Sequence, residues 1–252
     1  MNKEIDLSVS CYGAIKDLHY DVAILPWGAT EPHNFHLPYL TDCILPKMIA
    51  VKAASIALKE YGVRCMVMPP ISLGSQNPGQ RELSFCIHAR YETQYAILVD
   101  IVASLHVQGM RKLIIFSGHG GNNFKNMIRD LAFDYPDFLI VQSDWFSVLP
   151  GKDYFEATID DHAGELETSA MMYLQPDLVD LDMAGKGDSQ PFAISALNEK
   201  IGWTPRRWDR ATKDTGVGNP EKATASKGER YINDLLPKIV RLFVEVGKGE
   251  LY

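Results

Sequence analysis

Four short apolar runs alternate with longer amphipathic segments through the first part of the chain. The runs cover residues 22–25, 64–68, 112–116 and 138–142, and they predict buried strands. Each of the first three runs is followed, after a loop, by a segment with helical character, at residues 44–61, 92–108 and 123–135. This repetition of strand, loop and helix is typical of an α/β protein whose parallel sheet carries helices on both faces.

The remaining segments complete one predicted domain over residues 1–252. Residues 1–19 are polar and predict a short helix or an arm. A helix is expected up to about residue 174, and a final one over about 223–246 with Pro237 as a candidate break point. Residues 183–222 are rich in Gly, Pro, Asp and Lys, so we expect an irregular lid or oligomer-contact segment there.

The second predicted helix contains Pro46 close to its start. Proline has no N–H and is tolerated in the first turn, where that donor would have no partner in the helix. The helix should therefore begin just before Pro46. This places Asp42 at or immediately before the helix start, facing the loop that follows the first strand.

Charge and cysteine content narrow the functional classes. The net charge of −7 argues against binding of nucleic acid or an anionic membrane by bulk electrostatics. No apolar run approaches the roughly 18 residues that span a bilayer. The four cysteines are scattered without a CxxC pair, and the N-terminus does not resemble a secretory signal, so we expect a cytoplasmic protein.

The loop after the first strand is unusually rich in metal-ligand side chains. It contains Glu31 and His33 and leads to Asp42. Side chains two residues apart in extended backbone point the same way, and ligand sites in parallel sheets lie beyond the carboxyl ends of strands. We interpret these residues as part of a metal site. The alternative is an ordinary loop whose polar side chains cap the next helix.

A second candidate, His119, lies in a glycine-rich loop directly after the third strand. Glycines on both sides allow backbone or ligand to approach closely. A phosphate-binding loop is less favoured, because neither GxxxxGK[ST] nor GxGxxG is present. A histidine that hydrogen-bonds only within the turn is the other alternative.

The third cluster lies where a loop leads into the fifth predicted helix. Glu165 and Glu167 are candidate ligands there, and His162 could transfer a proton because its ordinary pKa is near neutrality. An acidic helix start favoured by the helix dipole would explain Glu165 but not His162. Cys43 and the histidines at positions 19, 36, 88 and 106 are expected to be structural or surface residues, with His36 as the first candidate for an exception, in contact with a ligand side chain or the substrate.

Taken together, these loops resemble the creatininase (creatinine amidohydrolase) family. The resemblance runs from about residue 20 to 240 and rests on stretches 28–33, 37–38, 41–42, 45–46, 117–122, 162–169, 216–220 and 223–228. The Glu–x–His–x8–Asp spacing, the glycine loop and the His-Ala-Gly-x-x-Glu-Thr-Ser element occur in the family's order. The combination is specific, since three separate loops agree.

The resemblance implies a three-layer α/β/α sandwich with a mainly parallel sheet and a binuclear metal centre. By position, Glu31 and His119 would hold one divalent ion, His33 the other, and Asp42 would bridge them. A hydroxide between the ions would attack an amide carbonyl. His162, with Asp161 beside it, would handle the proton. Zinc is the expected metal, with manganese or iron as alternatives, and a homo-oligomer, often a hexamer, is implied.

Two departures from the family bear on ligand and substrate. True creatininases carry a metal-binding glutamate two residues after the histidine that matches His119, and Gly121 occupies that place here. We therefore expect Glu167 to supply the missing ligand, with Glu165 as the alternative. The family's Phe-Pro-Gly-Thr-like element is also unrecognisable in residues 79–85, which argues against creatinine as the substrate.

The sequence thus predicts a metal-dependent amidohydrolase that cleaves a non-peptide C–N bond in a small linear or cyclic amide. A formamide hydrolase of the same family is an alternative. A dinuclear phosphoesterase is the alternative from another class, because two-metal sites also serve phosphoryl transfer. A fold without catalysis is disfavoured, since all the candidate ligands are present.

Overall fold

The core of the structure is a four-stranded parallel sheet with the strand order β2–β1–β3–β4. The computed structural model describes residues 2–252. The strands are β1 (Val22–Trp27), β2 (Cys65–Val67), β3 (Lys112–Ser117) and β4 (Leu139–Asp144). The predicted parallel sheet is therefore confirmed, and each strand lies within two residues of its predicted bounds.

Helices cover both faces of this sheet. The α-helices of residues 2–252 are α1 (Tyr12–Ile15), α2 (Thr41–Tyr61), α3 (Tyr91–Val107), α4 (Lys125–Asp134), α5 (Glu165–Leu174), α6 (Ser195–Asn198), α7 (Trp208–Ala211) and α8 (Ala225–Lys248). Of these, α2, α5 and α8 lie on one face of the sheet, and α3 and α4 lie on the other. Two further short strands, β5 (Asp160–His162) and β6 (Val217–Gly218), form an antiparallel pair outside the sheet.

Alternating side chains of the strands create the two cores. Val22 and Ile24 of β1 pack with α2, α5 and α8, whereas Ala23 and Leu25 pack with α3 and α4. This alternation follows from the two-residue repeat of an extended strand. The three-layer α/β/α architecture expected from the family resemblance is thus observed.

Helix α2 begins earlier than Pro46 led us to expect. It starts at Thr41, so Pro46 lies in its second turn and leaves the Asp42 carbonyl without the usual N–H partner. That carbonyl instead lies against two glycines at the ends of neighbouring strands. A Cβ atom added to Gly28 or Gly118 would lie 2.4 or 2.1 Å from the Asp42 oxygen.

The expected break at Pro237 is wrong, because α8 runs through this residue without interruption. Pro237 and Asn233, whose carbonyl loses its helical partner, are both exposed on the solvent face. Water can satisfy that carbonyl, so the helix tolerates the proline. The opposite face is buried and follows a helical repeat through Tyr231, Leu235 and Ile239.

Residues 183–222 contain only short elements and lie against the loops at the end of the sheet. Asn34 accepts a hydrogen bond from the backbone N–H of Gly185 and donates one to its carbonyl. The backbone N–H of Trp208 donates to the carbonyl of Pro78, at 2.7 Å. This irregular segment therefore contacts both the loop after β1 and the loop between β2 and α3.

Within residues 2–252, no helix has both the length and the apolar character needed to cross a bilayer.

The contact between Asp42 and Gly118 can be tested by stability. Gly118→Ala should lower the free energy of unfolding of metal-free protein by at least about 2 kcal/mol, because the new methyl group meets backbone. Gly120→Ala is the matched control, since an added Cβ there meets nothing within 4 Å. It should change the free energy by less than about 0.5 kcal/mol. Equal effects of the two substitutions in urea unfolding would contradict this packing.

Candidate metal centre

The candidate ligands meet beyond the carboxyl ends of β1 and β3. The chain leaves β1 towards β2 on one side and returns to β3 on the other, so a crevice opens between these two neighbouring strands. The loop after β1 brings Glu31 and His33 there, and the loop after β3 brings His119. The first turns of α2 and α5 contribute Asp42 and Glu167.

Three groups of side chains in this crevice could each hold a metal ion. They are Glu31, Asp42 and His119; His33, Asp42 and Glu167; and Glu31, His33 and His162, with the ligand atoms of each group within 4.8 Å of one another. Asp42 belongs to the first two groups. The structure therefore brings all five residues expected as ligands together, with His162 beside them.

The two carboxylate oxygens of Asp42 face different histidines. Oδ1 lies 3.0 Å from His33 Nε2, and Oδ2 lies 2.9 Å from His119 Nδ1. Oδ2 is buried and has no partner in hydrogen-bond geometry among the described residues. An unsatisfied buried carboxylate oxygen between two ligand sets is costly unless a cation contacts it. The residues present thus fit a bridged pair of ions.

The histidines are oriented by backbone carbonyls. His33 Nδ1 lies 3.1 Å from the carbonyl of Glu31, His119 Nε2 lies 2.7 Å from that of Ser75, and His162 Nε2 lies 3.0 Å from that of Pro32. These nitrogens must donate, because a carbonyl can only accept. The opposite nitrogen of each ring faces the cluster, which is the usual arrangement of metal-binding histidines.

The electrostatics of the cluster also favour cations. Burial tends to raise the pKa of Asp42, but the positive charges of His33 and His119, whose imidazoles lie close to its two oxygens, hold this pKa well below its usual range. Burial raises the pKa of Glu167 to about 8, with the charge of His33 opposing and that of Asp42 assisting. Divalent ions would stabilise both carboxylates in their charged form.

Glu165 and Glu167 have different surroundings although they lie two residues apart. Glu165 accepts hydrogen bonds from the backbone N–H groups of Glu156 and Ala157 and pairs with Lys227. Its carboxylate is therefore engaged away from the crevice. Glu167 accepts from the backbone N–H of Ala163, at 2.6 Å, and belongs to one of the three groups.

Gly121, which stands where true creatininases have a glutamate, has no room for a side chain. An added Cβ would lie 2.2 Å from the carbonyl oxygen of Ser75 and 2.5 Å from His119 Nε2. The loop between β2 and α3 therefore packs where that side chain would start.

One residue of the site was not singled out by the sequence, and this is Gln80. Its side chain is buried and donates from Nε2 to Glu31 Oε2, at 2.8 Å, while its Oε1 accepts from the backbone N–H of Asn77. Only the other oxygen of Glu31 is then left to face His119 and His162. A lone glutamine in a turn-rich loop carries no sequence signal for such a role.

His162 lies at the end of β5, between the cluster and the irregular segment. Its Nδ1 is 3.6 Å from Glu31 Oε1, and its ring centroid is 4.3 Å from that of His33. Burial and the positive charge of His33 lower its pKa. A neutral imidazole in this place can accept a proton.

The other two residues considered for the site lie outside the three groups. Asp161 has a half-exposed carboxylate that pairs with Arg206, so its side chain does not join the cluster. His36 Nε2 lies 2.8 Å from Thr168 Oγ1, and burial and the charge of His33 lower the pKa of His36 to about 4. His36 thus contacts the residue next to Glu167 without facing the ions' positions.

Comparison with known proteins identifies the family and fold of this chain. The sequence model of the family described as creatinine amidohydrolase matches residues 12–243. The crystal structure of a proposed creatinine amidohydrolase from Bacteroides fragilis is 68% identical, with a TM-score of 0.99 and complete coverage of both chains. The mycofactocin precursor peptide peptidase of Mycobacterium ulcerans is 27% identical over 231 residues, which cover 86% of this chain and 84% of the relative.

Creatininase structures in a manganese form and, for one variant, in a Zn-Zn form share the fold. Their TM-scores are 0.75 and 0.72 at 21% and 22% identity, and each comparison covers 98% of this chain and 100% of the other. The family model spans nearly the whole chain, and the layers and sheet correspond. The chain therefore belongs to the creatininase (creatinine amidohydrolase) family.

Proposed function

We propose that this protein is a metal-dependent amidohydrolase that cleaves a non-peptide C–N bond in a small linear or cyclic amide with two divalent ions. The observation that carries the proposal is the position of Asp42, whose two oxygens face separate sets of ligands. A carboxylate shared in this way is the usual bridge of a two-metal hydrolytic site.

Glu31, Asp42 and His119 would hold one ion, and His33, Asp42 and Glu167 would hold the other. Glu167 would replace the glutamate that Gly121 cannot provide. Mixed nitrogen and oxygen ligands suit zinc first, with manganese or iron as alternatives. The manganese and zinc forms of the structural relatives support this choice.

When bound, such ions polarise a carbonyl and lower the pKa of water. The chain's own residues supply the remaining functions. His162, neutral and 3.6 Å from Glu31, would accept a proton and return it to the leaving nitrogen. Gln80 would keep Glu31 in one orientation, and the backbone carbonyls of Glu31, Pro32 and Ser75 would keep the three imidazoles in theirs.

Two alternatives within the family concern the substrate. A formamide would require the same residues, since it also presents a carbonyl and a leaving nitrogen. A peptide is the other alternative, and the similarity to a precursor peptide peptidase over most of the chain supports it. A phosphate ester remains the alternative from another class of two-metal hydrolase.

We also propose that the protein is a cytoplasmic homo-oligomer, with a hexamer as the candidate assembly. Phe35, Phe85, Ile201 and Trp203 are large apolar side chains that are more than half exposed, and all four lie in loops around the site or in residues 183–222. Contact between subunits would cover such side chains. The four unpaired cysteines agree with a reducing compartment.

Metal content should show which of Glu165 and Glu167 is the metal ligand. Wild-type protein should bind about two zinc ions per chain, Glu167→Gln about one, and Asp42→Ala almost none, because a bridge serves both ions. Equilibrium dialysis with mass spectrometric metal analysis measures this.

The matched control is Glu165→Gln, which should keep both ions and lower stability because Lys227 loses one of its two carboxylate partners. Metal loss in this control equal to that of Glu167→Gln would refute the ligand set. Full occupancy in Asp42→Ala would refute the bridge.

Hydrolysis of the amide should depend on the side chain of His162. Zinc-loaded wild type should hydrolyse members of a panel of linear amides, lactams and formamides, tested beside a peptide and phosphate esters. His162→Ala should keep its metal content and lose turnover by about 10²- to 10⁴-fold. His106→Ala, at a histidine that pairs with exposed Asp137, should retain activity. Turnover of phosphate esters alone would contradict the proposal, as would an unchanged rate in His162→Ala.

A further inference from the structure

The segment of residues 183–222 places a tryptophan and an arginine beside His162. The ring centroids of Trp208 and His162 are 5.3 Å apart and nearly perpendicular, and the Arg206 guanidinium carbon lies 4.9 Å from the centroid of Trp208. The backbone bond from Trp208 to Pro78 fixes this arrangement against the loop that carries Gln80. Trp208 thus contacts both the partly exposed Arg206 and His162, the proposed proton acceptor.

Trp208 has a donor that no described residue uses. The indole is buried, and its Nε1–H has no hydrogen-bond partner among residues 2–252. Leaving a buried donor unpaired costs free energy, and most such groups in folded proteins have a partner. An unpaired donor next to His162 therefore points to an acceptor that a ligand supplies.

Arg206 has donors to spare as well. Its Nη2 hydrogen-bonds Asp161, but a guanidinium carries five N–H donors, and about a third of this side chain is exposed. Asp161 is 55% exposed, so their ion pair is at the surface. Such pairs contribute little to stability, and a second carboxylate could replace Asp161 at little cost.

The geometry points to a recognition site for an anionic substrate. We propose that Arg206 selects amides that carry a carboxylate near the scissile bond, with the Trp208 indole N–H as a further donor and Asp161 as the group that the substrate displaces. This inference rests on the proposed amide hydrolysis and names the substrate class of that site. The guanidinium would offset the repulsion between a carboxylate and the acidic cluster of Glu31, Asp42 and Glu167.

Binding of a matched pair of ligands tests the proposal. N-acetylglycine carries the carboxylate, and N-acetylglycinamide replaces it with a neutral amide. Calorimetric titration of zinc-loaded wild type should show tighter binding of the acid. Arg206→Ala should weaken binding of the acid by roughly 10- to 100-fold and leave the neutral amide unchanged. Arg207→Ala is the matched control, because Arg207 pairs with Asp209, and it should alter neither ligand.

Asp161→Asn distinguishes recognition from a structural role of the ion pair. Removing the competing carboxylate should strengthen binding of the acid several-fold, opposite to Arg206→Ala. If the pair only supported the fold, both substitutions would weaken both ligands alike, and that result would overturn the proposal. Failure of wild type to prefer the acid would overturn it too.

Because these measurements report binding, they are independent of turnover. If the protein binds the acid more tightly through Arg206 but hydrolyses no amide, the proposed function is wrong and the proposed recognition site stands. If the protein hydrolyses charged and neutral amides equally well, without dependence on Arg206, the proposed function stands and the proposed recognition site is wrong.

Discussion

The site depends on the close contact between the first turn of α2 and two glycines at the sheet's edge. Pro46 leaves the Asp42 carbonyl without a helical partner, and Gly28 and Gly118 let that carbonyl approach the ends of β1 and β3. The side chain of Asp42 is thereby held in the crevice between these strands. Backbone packing thus places the one side chain that belongs to both candidate ligand sets.

Around this contact, the chain concentrates buried charge that its own groups only partly balance. Glu31, Asp42 and Glu167 meet three imidazoles, each oriented by a backbone carbonyl. One Asp42 oxygen is left without a hydrogen bond. Such a cluster is expensive without cations and stable with them, because ions compensate carboxylates that are largely removed from solvent. This is the physical reason to interpret the crevice as a metal centre.

Sequence reasoning succeeded where a feature is local or periodic. Apolar runs identified the strands, and the glycine loop and acidic helix start identified the candidate ligands. It was wrong about Pro237, because tolerance of a proline depends on which helix face meets solvent. It did not single out Gln80 or the stack of Arg206 on Trp208, since these contacts join segments far apart in the chain. It preferred Glu167 to Glu165 as the metal ligand but could not exclude Glu165. The ion pair that engages Glu165 joins it to Lys227, which is distant in the sequence and becomes a neighbour only in the folded chain.

The central claim is that Asp42 bridges two ions and that Glu167 holds the second one. Anomalous diffraction from crystals of zinc-loaded protein, recorded at the zinc edge, tests it most directly. The account predicts two peaks on opposite sides of the Asp42 carboxylate, one near Glu31 and His119 and the other near His33 and Glu167. A single peak, or a second ion without contact to Glu167, would contradict it.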